Sequence, residues 1–272
     1  MITAYLNGGM GNQMFQYAAA LAACARLGGS ALELNASSFA NDPMRQYSLC
    51  LWAGVNEPIR LTPPTGDIVR ERVLPYDAAL ARTISRSCTL WGYFQSEKWF
   101  GGAEEKVLER FAPHPLTARG ADMERKIRAA GARSVFLTVR RTDYVKSDFH
   151  GVMPMDYYLR ALELVASKVR SPEVFVFSDE PEWCEANFRL PCKTTVAGNF
   201  DRTTKAHLGR EDEELWLMSR CAHAIMANST YSWWGAWMGP DRTGGTVVAP
   251  KQWFLKAEAD ARDIVPERWA RL

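Results

Sequence analysis

The sequence contains few of the residues that build metal centres and disulfide frameworks. Its 272 residues include only four histidines and six cysteines, with no CxxC pair and no Asp-x-Asp. The histidines lie far apart, and no metal-ligand spacing connects them. We therefore expect no metal and no cofactor, and we interpret the cysteines as reduced core residues.

Long apolar runs and a basic stripe are also missing. No stretch approaches the roughly 20 apolar residues that span a bilayer, and the opening MITAYLNGG lacks the features of a signal peptide. The 33 basic and 31 acidic residues are scattered and leave a formal charge of +2, which argues against nucleic acid as a partner. We expect a cytoplasmic protein without a membrane span. Such a protein could still contact a membrane peripherally.

Short apolar runs alternate with helical patterns along much of the chain. A predicted strand at Ile2–Leu6 is followed by a helical run that stops at Gly28-Gly29, and Ala31–Asn35 predicts the next strand. In the second half, predicted strands lie at residues 135–139, 174–177, 194–196, 224–227 and 246–249. This alternation predicts an α/β fold with parallel sheets. The loop-rich stretch at residues 111–122 places a boundary between domains 1–120 and 121–272.

Polar residues cluster where the second-half strands end. The clusters are Arg140-Arg141-Thr142-Asp143, Ser178-Asp179-Glu180, Gly198-Asn199 and Asn228-Ser229-Thr230. Because ligands of open α/β sheets bind outside the carboxyl ends of the strands, we expect the clusters to converge on one site. A nucleotide is the natural occupant.

The stretch GGMGNQMFQYA, which begins at Gly8, leads into the first predicted helix. A dinucleotide fingerprint would need glycine in place of Met14, and a P-loop would need a Gly-Lys-Ser/Thr that is absent. The remaining interpretations are a tight turn with Asn12 capping the helix and a loop that binds a sugar or a phosphate.

Two stretches indicate anion binding. TVRRTDY places Arg140 and Arg141 at a strand end, where their planar forks suit a diphosphate; the alternative is a surface Arg–Asp pair. ANSTYSWWGAW predicts a strand end turning into a helix start that can hold phosphate oxygens. We interpret its tryptophans as core residues and the acidic residues 211–214 as a solvated helix start.

Taken together, the motifs resemble those of the bacterial α-1,2-fucosyltransferases, glycosyltransferase family 11. The matching stretches occur in family order and run nearly from end to end: GGMGNQMFQYA, GYFQSEKWF, VRRTDYV, HGVMPMDYY, FVFSDEPEWC, LWLMSRCAHAIMANSTYSWWGAWM and VVAPKQWF.

The resemblance implies an α/β architecture of GT-B type, with two Rossmann-like domains whose parallel sheets face a cleft. The N-terminal domain would lie on the acceptor side, and the C-terminal one would bind GDP-fucose. Such enzymes move L-fucose from GDP-β-L-fucose, with inversion and without a metal, to C2 of a terminal β-galactoside. The acceptor is an oligosaccharide or a lipid-linked glycan.

The resemblance also suggests residues for the site. The predicted catalytic residues are Arg140, Asp143 and Asn12, and no metal ligand is predicted. The predicted substrate-binding residues are Gly9, Gly11, Gln13, Thr138, Arg141, Ser178, Asp179, Asn228, Ser229 and Thr230. Arg140 would stabilise charge on the departing β-phosphate, and Asp143 or Asp148 would be the general base. Strand alternation puts Arg140 on the side of Thr138 and turns Arg141 toward a carboxylate of its own domain.

Two positions depart from the family pattern. The family commonly has histidine where this chain has Thr138, and glycine where it has Thr142. Threonine before the aspartate resembles the α-1,6 enzymes, so an α-1,6 or other linkage stays an alternative, as does an inactive GDP-sugar-binding or glycan-binding relative. Restoring the family residue by Thr138→His is expected to keep or improve the KM for GDP-fucose.

Overall fold

The computed structural model describes residues 1–198, 207–256 and 258–272. These residues form two compact units, each with its own parallel sheet. The first unit consists of Met1–His114 together with residues 207–211 and Asp260–Pro266, and the second contains the other described residues. The division after His114 falls a few residues before the predicted boundary, and the two later segments of the first unit had no signal in the sequence.

The first unit is a parallel sheet with helices in its connections. Its strands are β1 (Ile2–Tyr5), β2 (Leu32–Asn35), β3 (Ile59–Arg60), β4 (Ile68–Arg70) and β5 (Cys88–Trp91). Its helices are α1 (Met10–Arg26), α2 (Ala78–Thr83) and α3 (Glu104–Arg110). The strand order is β3-β2-β1-β5-β4, and all neighbours are parallel.

Helix α1 confirms the helical run predicted after the opening glycines. Gly8 has φ +72°, a left-handed conformation that suits glycine, and Gly9 provides the extended N-cap. Most of α1 is buried, which its alanine-rich composition allows by close packing against β1. Gly28 and Gly29, with φ +76° and +81°, follow its end as predicted.

The second unit repeats this design. Its strands are β6 (Ser134–Val139), β7 (Glu173–Ser178), β8 (Lys193–Val196), β9 (His223–Ile225), β10 (Val247–Ala249) and β11 (Ala270–Arg271). Its helices are α4 (Ala118–Ala130), α5 (Met155–Ala166), α6 (Pro181–Asn187), α7 (Glu211–Ser219) and α8 (Thr230–Met238). The order β11-β10-β9-β6-β7-β8 is parallel throughout.

Strands β6 and β7 form the buried centre of the second sheet. Val135, Leu137 and Val139 belong to one core cluster with Tyr157 and Tyr158 of α5, so alternate residues of β6 face that layer. The three tryptophans of α8 are at most 2% exposed, which confirms their interpretation as core residues.

The architecture agrees with the sequence prediction in its main features. The α/β class and the two Rossmann-like parallel sheets of GT-B type are confirmed. In the described ranges, no helix combines the length and the apolar character needed to cross a bilayer.

Candidate active site

Three polar segments follow neighbouring strands at one edge of the second sheet. Strands β9, β6 and β7 are adjacent and parallel, so their carboxyl ends lie at the same edge. Residues 140–143 follow β6, residues 178–180 close β7, and residues 228–230 come shortly after β9. The predicted convergence is confirmed for these segments, whereas Asn199, in the fourth predicted cluster, lies outside the described residues.

Arg140 lies just past β6 between two carboxylates. Its Nη2 donates to Oδ1 of Asp143 at 2.6 Å, and its Nη1 lies 2.9 Å from Oδ2 of Asp179. The guanidinium carbon lies 5.1 Å from the centroid of the Tyr144 ring. Its side chain is 25% exposed. Because a guanidinium has five N–H donors in one plane, the group is oriented by these contacts and has further donors for an anion.

Arg141 has different partners, as strand alternation predicts. Its Nε donates to Oε2 of Glu180 at 2.9 Å, and its guanidinium carbon lies 3.7 Å from the centroid of the Trp183 ring. Both partners belong to the second unit, which confirms the expected pairing with a carboxylate of its own domain. These contacts give Arg141 a stabilising role, and the substrate contact predicted for it stays a prediction.

Asp179 organises the turn that holds the two arginines. Its Oδ1 accepts from the backbone N–H of Arg141 at 2.9 Å, and its Oδ2 accepts from the Thr142 hydroxyl at 2.5 Å while pairing with Arg140. The side chain is only 7% exposed. Asp179, which was predicted to bind substrate, thus fixes the conformation of the chain after β6.

The charges of this cluster restrict how an anion could bind. Arg140 and Arg141 are set against Asp143, Asp179 and Glu180, so the five groups carry one net negative charge. A diphosphate at Arg140 would meet this negative charge unless it takes the place of one carboxylate. Asp143 is the better candidate for displacement, because its side chain is 35% exposed and its solvation is more easily restored.

Thr138 and Ser178 have internal roles, in contrast to the substrate contacts predicted for them. The Thr138 hydroxyl accepts from the backbone N–H of Ala227 at 2.8 Å, and the Ser178 hydroxyl accepts from the backbone N–H of Glu180 at 3.0 Å. Both residues are buried. A histidine at position 138 would lose the bond to Ala227, so we expect Thr138→His to reduce stability. Its expected effect on the KM for GDP-fucose stays a prediction.

Asn228, Ser229 and Thr230 lead into α8. Asn228 is 1% exposed, and its Nδ2 donates to the carbonyls of His150 and Trp253 at 2.7 and 2.9 Å. It therefore braces two loops. Ser229 is the extended N-cap of α8 but makes no side-chain capping bond, and Thr230 is the first helical residue. This helix start has the geometry that favours phosphate oxygens.

Tyr144 and His150 are site residues to which the sequence analysis assigned no role. The Tyr144 hydroxyl donates to the carbonyl of Asn228 at 3.3 Å, and its ring stacks on His150 with centroids 4.5 Å apart. Burial lowers the pKa of His150, and the charge of Asp143 opposes that shift. The available signal was the tyrosine that follows the arginine–aspartate motif at the strand end.

The acidic start of α7 overturns its interpretation as a solvated helix start. Asp212, Glu213 and Glu214 are at most 1% exposed. Glu213 accepts from the backbone N–H and the hydroxyl of Thr117 at 3.1 and 2.6 Å, and Glu214 accepts from the Tyr231 hydroxyl at 3.1 Å. Their partners lie far away in the sequence, so no local pattern could have revealed this burial.

In the first unit, Gln13 is committed to the protein itself. It is fully buried, its Nε2 donates to the carbonyls of Gly8 and Gln46, and its Oε1 accepts from the backbone N–H of Ser48. Both of its N–H bonds are used. The predicted donation from Gln13 to a ligand therefore lacks structural support, and the residue instead anchors the segment at 46–48.

Asn12 lies in the first turn of α1 and is half-buried. Its Oδ1 accepts from Nε2 of Gln95 at 2.9 Å. The N-cap is Gly9, with no side-chain capping bond, so the interpretation of Asn12 as the cap is wrong. Gly11 is buried within the helix. Direct contact of Gly9, Gly11 or Asn12 with a substrate stays a prediction.

Comparison with known proteins adds a family and its relatives. The sequence model of Glycosyl transferase family 11 matches residues 65–271. Alpha-1,2-colitosyltransferase of Escherichia coli is 27% identical, with 100% of this chain and 99% of that protein covered. O-antigen biosynthesis glycosyltransferase WbnK of Escherichia coli is 29% identical over 98% of this chain and 99% of that protein. Galactoside alpha-(1,2)-fucosyltransferase 1 of Homo sapiens is 26% identical over 97% of this chain and 73% of that protein.

Proposed function

The chain belongs to glycosyl transferase family 11, and on that premise we propose that it transfers L-fucose from GDP-β-L-fucose to a glycan. The acceptor position in this proposal is the C2 hydroxyl of a terminal β-galactoside on an oligosaccharide or lipid-linked glycan. Two relatives, Alpha-1,2-colitosyltransferase and Galactoside alpha-(1,2)-fucosyltransferase 1, carry the 1,2 linkage in their names, which supports this position. A third relative acts in O-antigen biosynthesis, which supports a glycan acceptor.

The observation that carries the donor proposal is the oriented guanidinium of Arg140. Departure of GDP leaves negative charge on the β-phosphate, and a preorganised donor aimed at developing charge lowers the barrier. In this proposal the diphosphate takes the place of Asp143 at Arg140, while the buried Asp179 keeps the guanidinium oriented. The start of α8, whose N-cap Ser229 makes no side-chain capping bond, lies at a helix N-terminus, which favours phosphate oxygens.

Displacement of Asp143 from Arg140 would also free a carboxylate for proton transfer. In the proposed step, the acceptor oxygen forms a bond to C1 of fucose on the face opposite GDP, and the C1–O bond to the β-phosphate breaks. The hydroxyl proton passes to Asp143, and the electron pair leaves with GDP. No metal takes part in this proposal.

A colitosyl donor is the specific alternative. The relative named Alpha-1,2-colitosyltransferase matches the whole chain. In this proposal the arginine–carboxylate cluster binds the diphosphate of the donor, so it does not determine which sugar the donor carries. Both donors can be tested with one acceptor.

The test is a transfer assay with lactose, using GDP-fucose and GDP-colitose in parallel, and NMR of the product to assign the linkage. We expect product from GDP-fucose, with the new glycosidic bond at C2 of galactose. Thermal-shift titrations with GDP and UDP provide the nucleotide control, since a ligand that binds only the native state raises its stability. Transfer only from GDP-colitose would identify the alternative donor, and equal shifts with UDP would refute the guanine assignment.

A further inference from the structure

The first unit contains a cavity of about 370 Å³ that the proposed donor chemistry does not use. Its lining comes from three adjacent strands: Asn7 follows β1, Glu71 follows β4, and Gly92 and Tyr93 follow β5. Because these strands are parallel, the cavity lies at the carboxyl edge of the first sheet, where α/β sheets bind ligands. Its volume falls within the roughly 300–1,000 Å³ of small-molecule sites.

The Glu71 carboxylate is fixed in this cavity by the backbone of the neighbouring strand connection. It accepts from the N–H groups of Tyr93 at 2.6 Å and Phe94 at 3.0 Å. Phe94 has φ +52°, a left-handed conformation that costs a bulky residue free energy. A Cβ at Gly92 would overlap Glu71. The GYFQSEKWF stretch thus forms a close-fitting wall against one carboxylate.

The cavity also offers an exposed aromatic ring. Tyr93 is 41% exposed. By contrast, the ring of Trp91 is flanked by Tyr5, stacked at 4.0 Å, and by the guanidinium of Arg70 at 4.3 Å.

We propose that this cavity is the subsite for the acceptor sugar: the Glu71 carboxylate accepts hydrogen bonds from its hydroxyls, and the Tyr93 ring packs on its apolar face. The inference rests on the proposed glycosyl transfer. A sugar fits this lining because it offers several hydroxyl donors and a C–H face.

Burial supports the same assignment. It raises the pKa of Glu71 from 4.5 to about 7, although the two backbone N–H bonds act in the opposite direction. Such a carboxylate lacks full solvation, so a neutral ligand with hydroxyl donors improves its surroundings. Arg70 and Arg72 are the other charged groups of the lining, and both are exposed at its rim.

The experiment measures acceptor KM and GDP affinity for Tyr93→Ala, Tyr93→Phe and Glu71→Gln. We expect Tyr93→Ala to raise the KM for lactose roughly tenfold through loss of the stacking surface, and Tyr93→Phe to stay near wild type. Glu71→Gln should raise it by about tenfold or more, because hydrogen bonds to a charged group are the strong ones. GDP affinity should stay within about twofold throughout, as should both constants in the control Glu109→Gln, an exposed residue of α3 outside the lining.

The design separates failure of this inference from failure of the proposed function. Saturation-transfer NMR can measure the binding of lactose in the absence of donor. This measurement tests the subsite even if the wild-type protein transfers nothing. A wild-type protein that neither binds GDP nor uses GDP-fucose, but binds lactose in a Tyr93-dependent way, refutes the donor proposal and supports the subsite. An acceptor KM that stays within twofold in both Tyr93→Ala and Glu71→Gln overturns the subsite. If Glu71→Gln fails to fold, the Tyr93 pair decides.

Discussion

The two adjacent arginines after β6 should separate into one that acts on the reaction and one that stabilises the fold. Arg140 is held between Asp143 and Asp179 with its guanidinium 25% exposed. Arg141 pairs with Glu180 and covers the Trp183 ring. The perturbation is therefore replacement of each arginine by alanine, with Arg140→Lys as a third variant.

The expected loss for Arg140→Ala follows from its orientation toward the proposed diphosphate. Removing one preorganised donor from developing charge costs about 10²–10³ in kcat, or about 3–4 kcal/mol. Lysine should recover little of this, because a point charge cannot reproduce two parallel N–H donors. The fold should persist, since Asp179 keeps its bonds to the backbone N–H of Arg141 and to the Thr142 hydroxyl.

For Arg141→Ala the magnitude comes from two contacts. A partly exposed ion pair contributes about 0.2–1 kcal/mol, and a cation–π contact contributes about 0.5–2 kcal/mol. Together they amount to about 1–3 kcal/mol. With a shift of about 2–4 °C per kcal/mol in a unit of this size, Tm should fall by about 2–12 °C. Turnover should stay within about tenfold, which corresponds to about 1.4 kcal/mol of barrier.

The assay is kcat for transfer to lactose together with Tm and calorimetric GDP affinity for all three variants. A reversed outcome would refute the reasoning: Arg141→Ala inactive with normal stability, and Arg140→Ala nearly as active as wild type. That result would mean that strand alternation does not continue past the end of β6. It would also remove Arg140 from the proposed site.

Three other perturbations have expected outcomes. Transfer should be unaffected by EDTA, because the charge on GDP is assigned to a guanidinium; loss of activity that manganese restores would contradict this assignment. Thr138→His should lower Tm and activity together, because it leaves the Ala227 N–H without its partner, a loss of about 1–3 kcal/mol of stability. The control Thr138→Ser should keep most of the stability. An unchanged Tm for the histidine variant would show that the pocket adapts. Glu71 has a raised pKa of about 7 in the folded protein, so the folded state binds more protons than the unfolded one between about pH 4.5 and 7. Stability should therefore be highest below that window and fall as pH rises through it, by up to about 3 kcal/mol, and a Glu71→Gln protein with the same pH profile in urea unfolding as wild type would count against the shift.

Periodicity along the chain was sufficient to predict the strands at 135–139 and 174–177, the helix after the opening glycines and the burial of the α8 tryptophans. Each of these features depends on neighbours within a few residues, and a parallel sheet then brings the polar strand ends to one edge. The expectation that Arg140 and Arg141 have different partners rests on the same local alternation.

Only the structure shows which polar side-chain atoms already make hydrogen bonds within the protein. Gln13, Thr138 and Ser178 carry side chains suited to a ligand, but their hydrogen bonds go to the protein. Three of these partners lie far along the chain: Gln46 and Ser48 for Gln13, and Ala227 for Thr138. A hydrogen bond between distant segments leaves no mark on local composition, so sequence reasoning cannot distinguish a committed amide from an available one.

Burial of charge and the shape of the first-unit cavity also depend on tertiary packing, so the sequence could not predict them. Asp212, Glu213 and Glu214 read as a solvated helix start, yet tertiary packing covers them. No sequence pattern indicated a role for Glu71, because its carboxylate is fixed only by hydrogen bonds from the backbone N–H groups of the connection after β5. Local sequence determined the elements and the edges at which ligands can bind. Only the folded chain, by pairing segments that are distant in sequence, determined which side chains at those edges remain free to bind them.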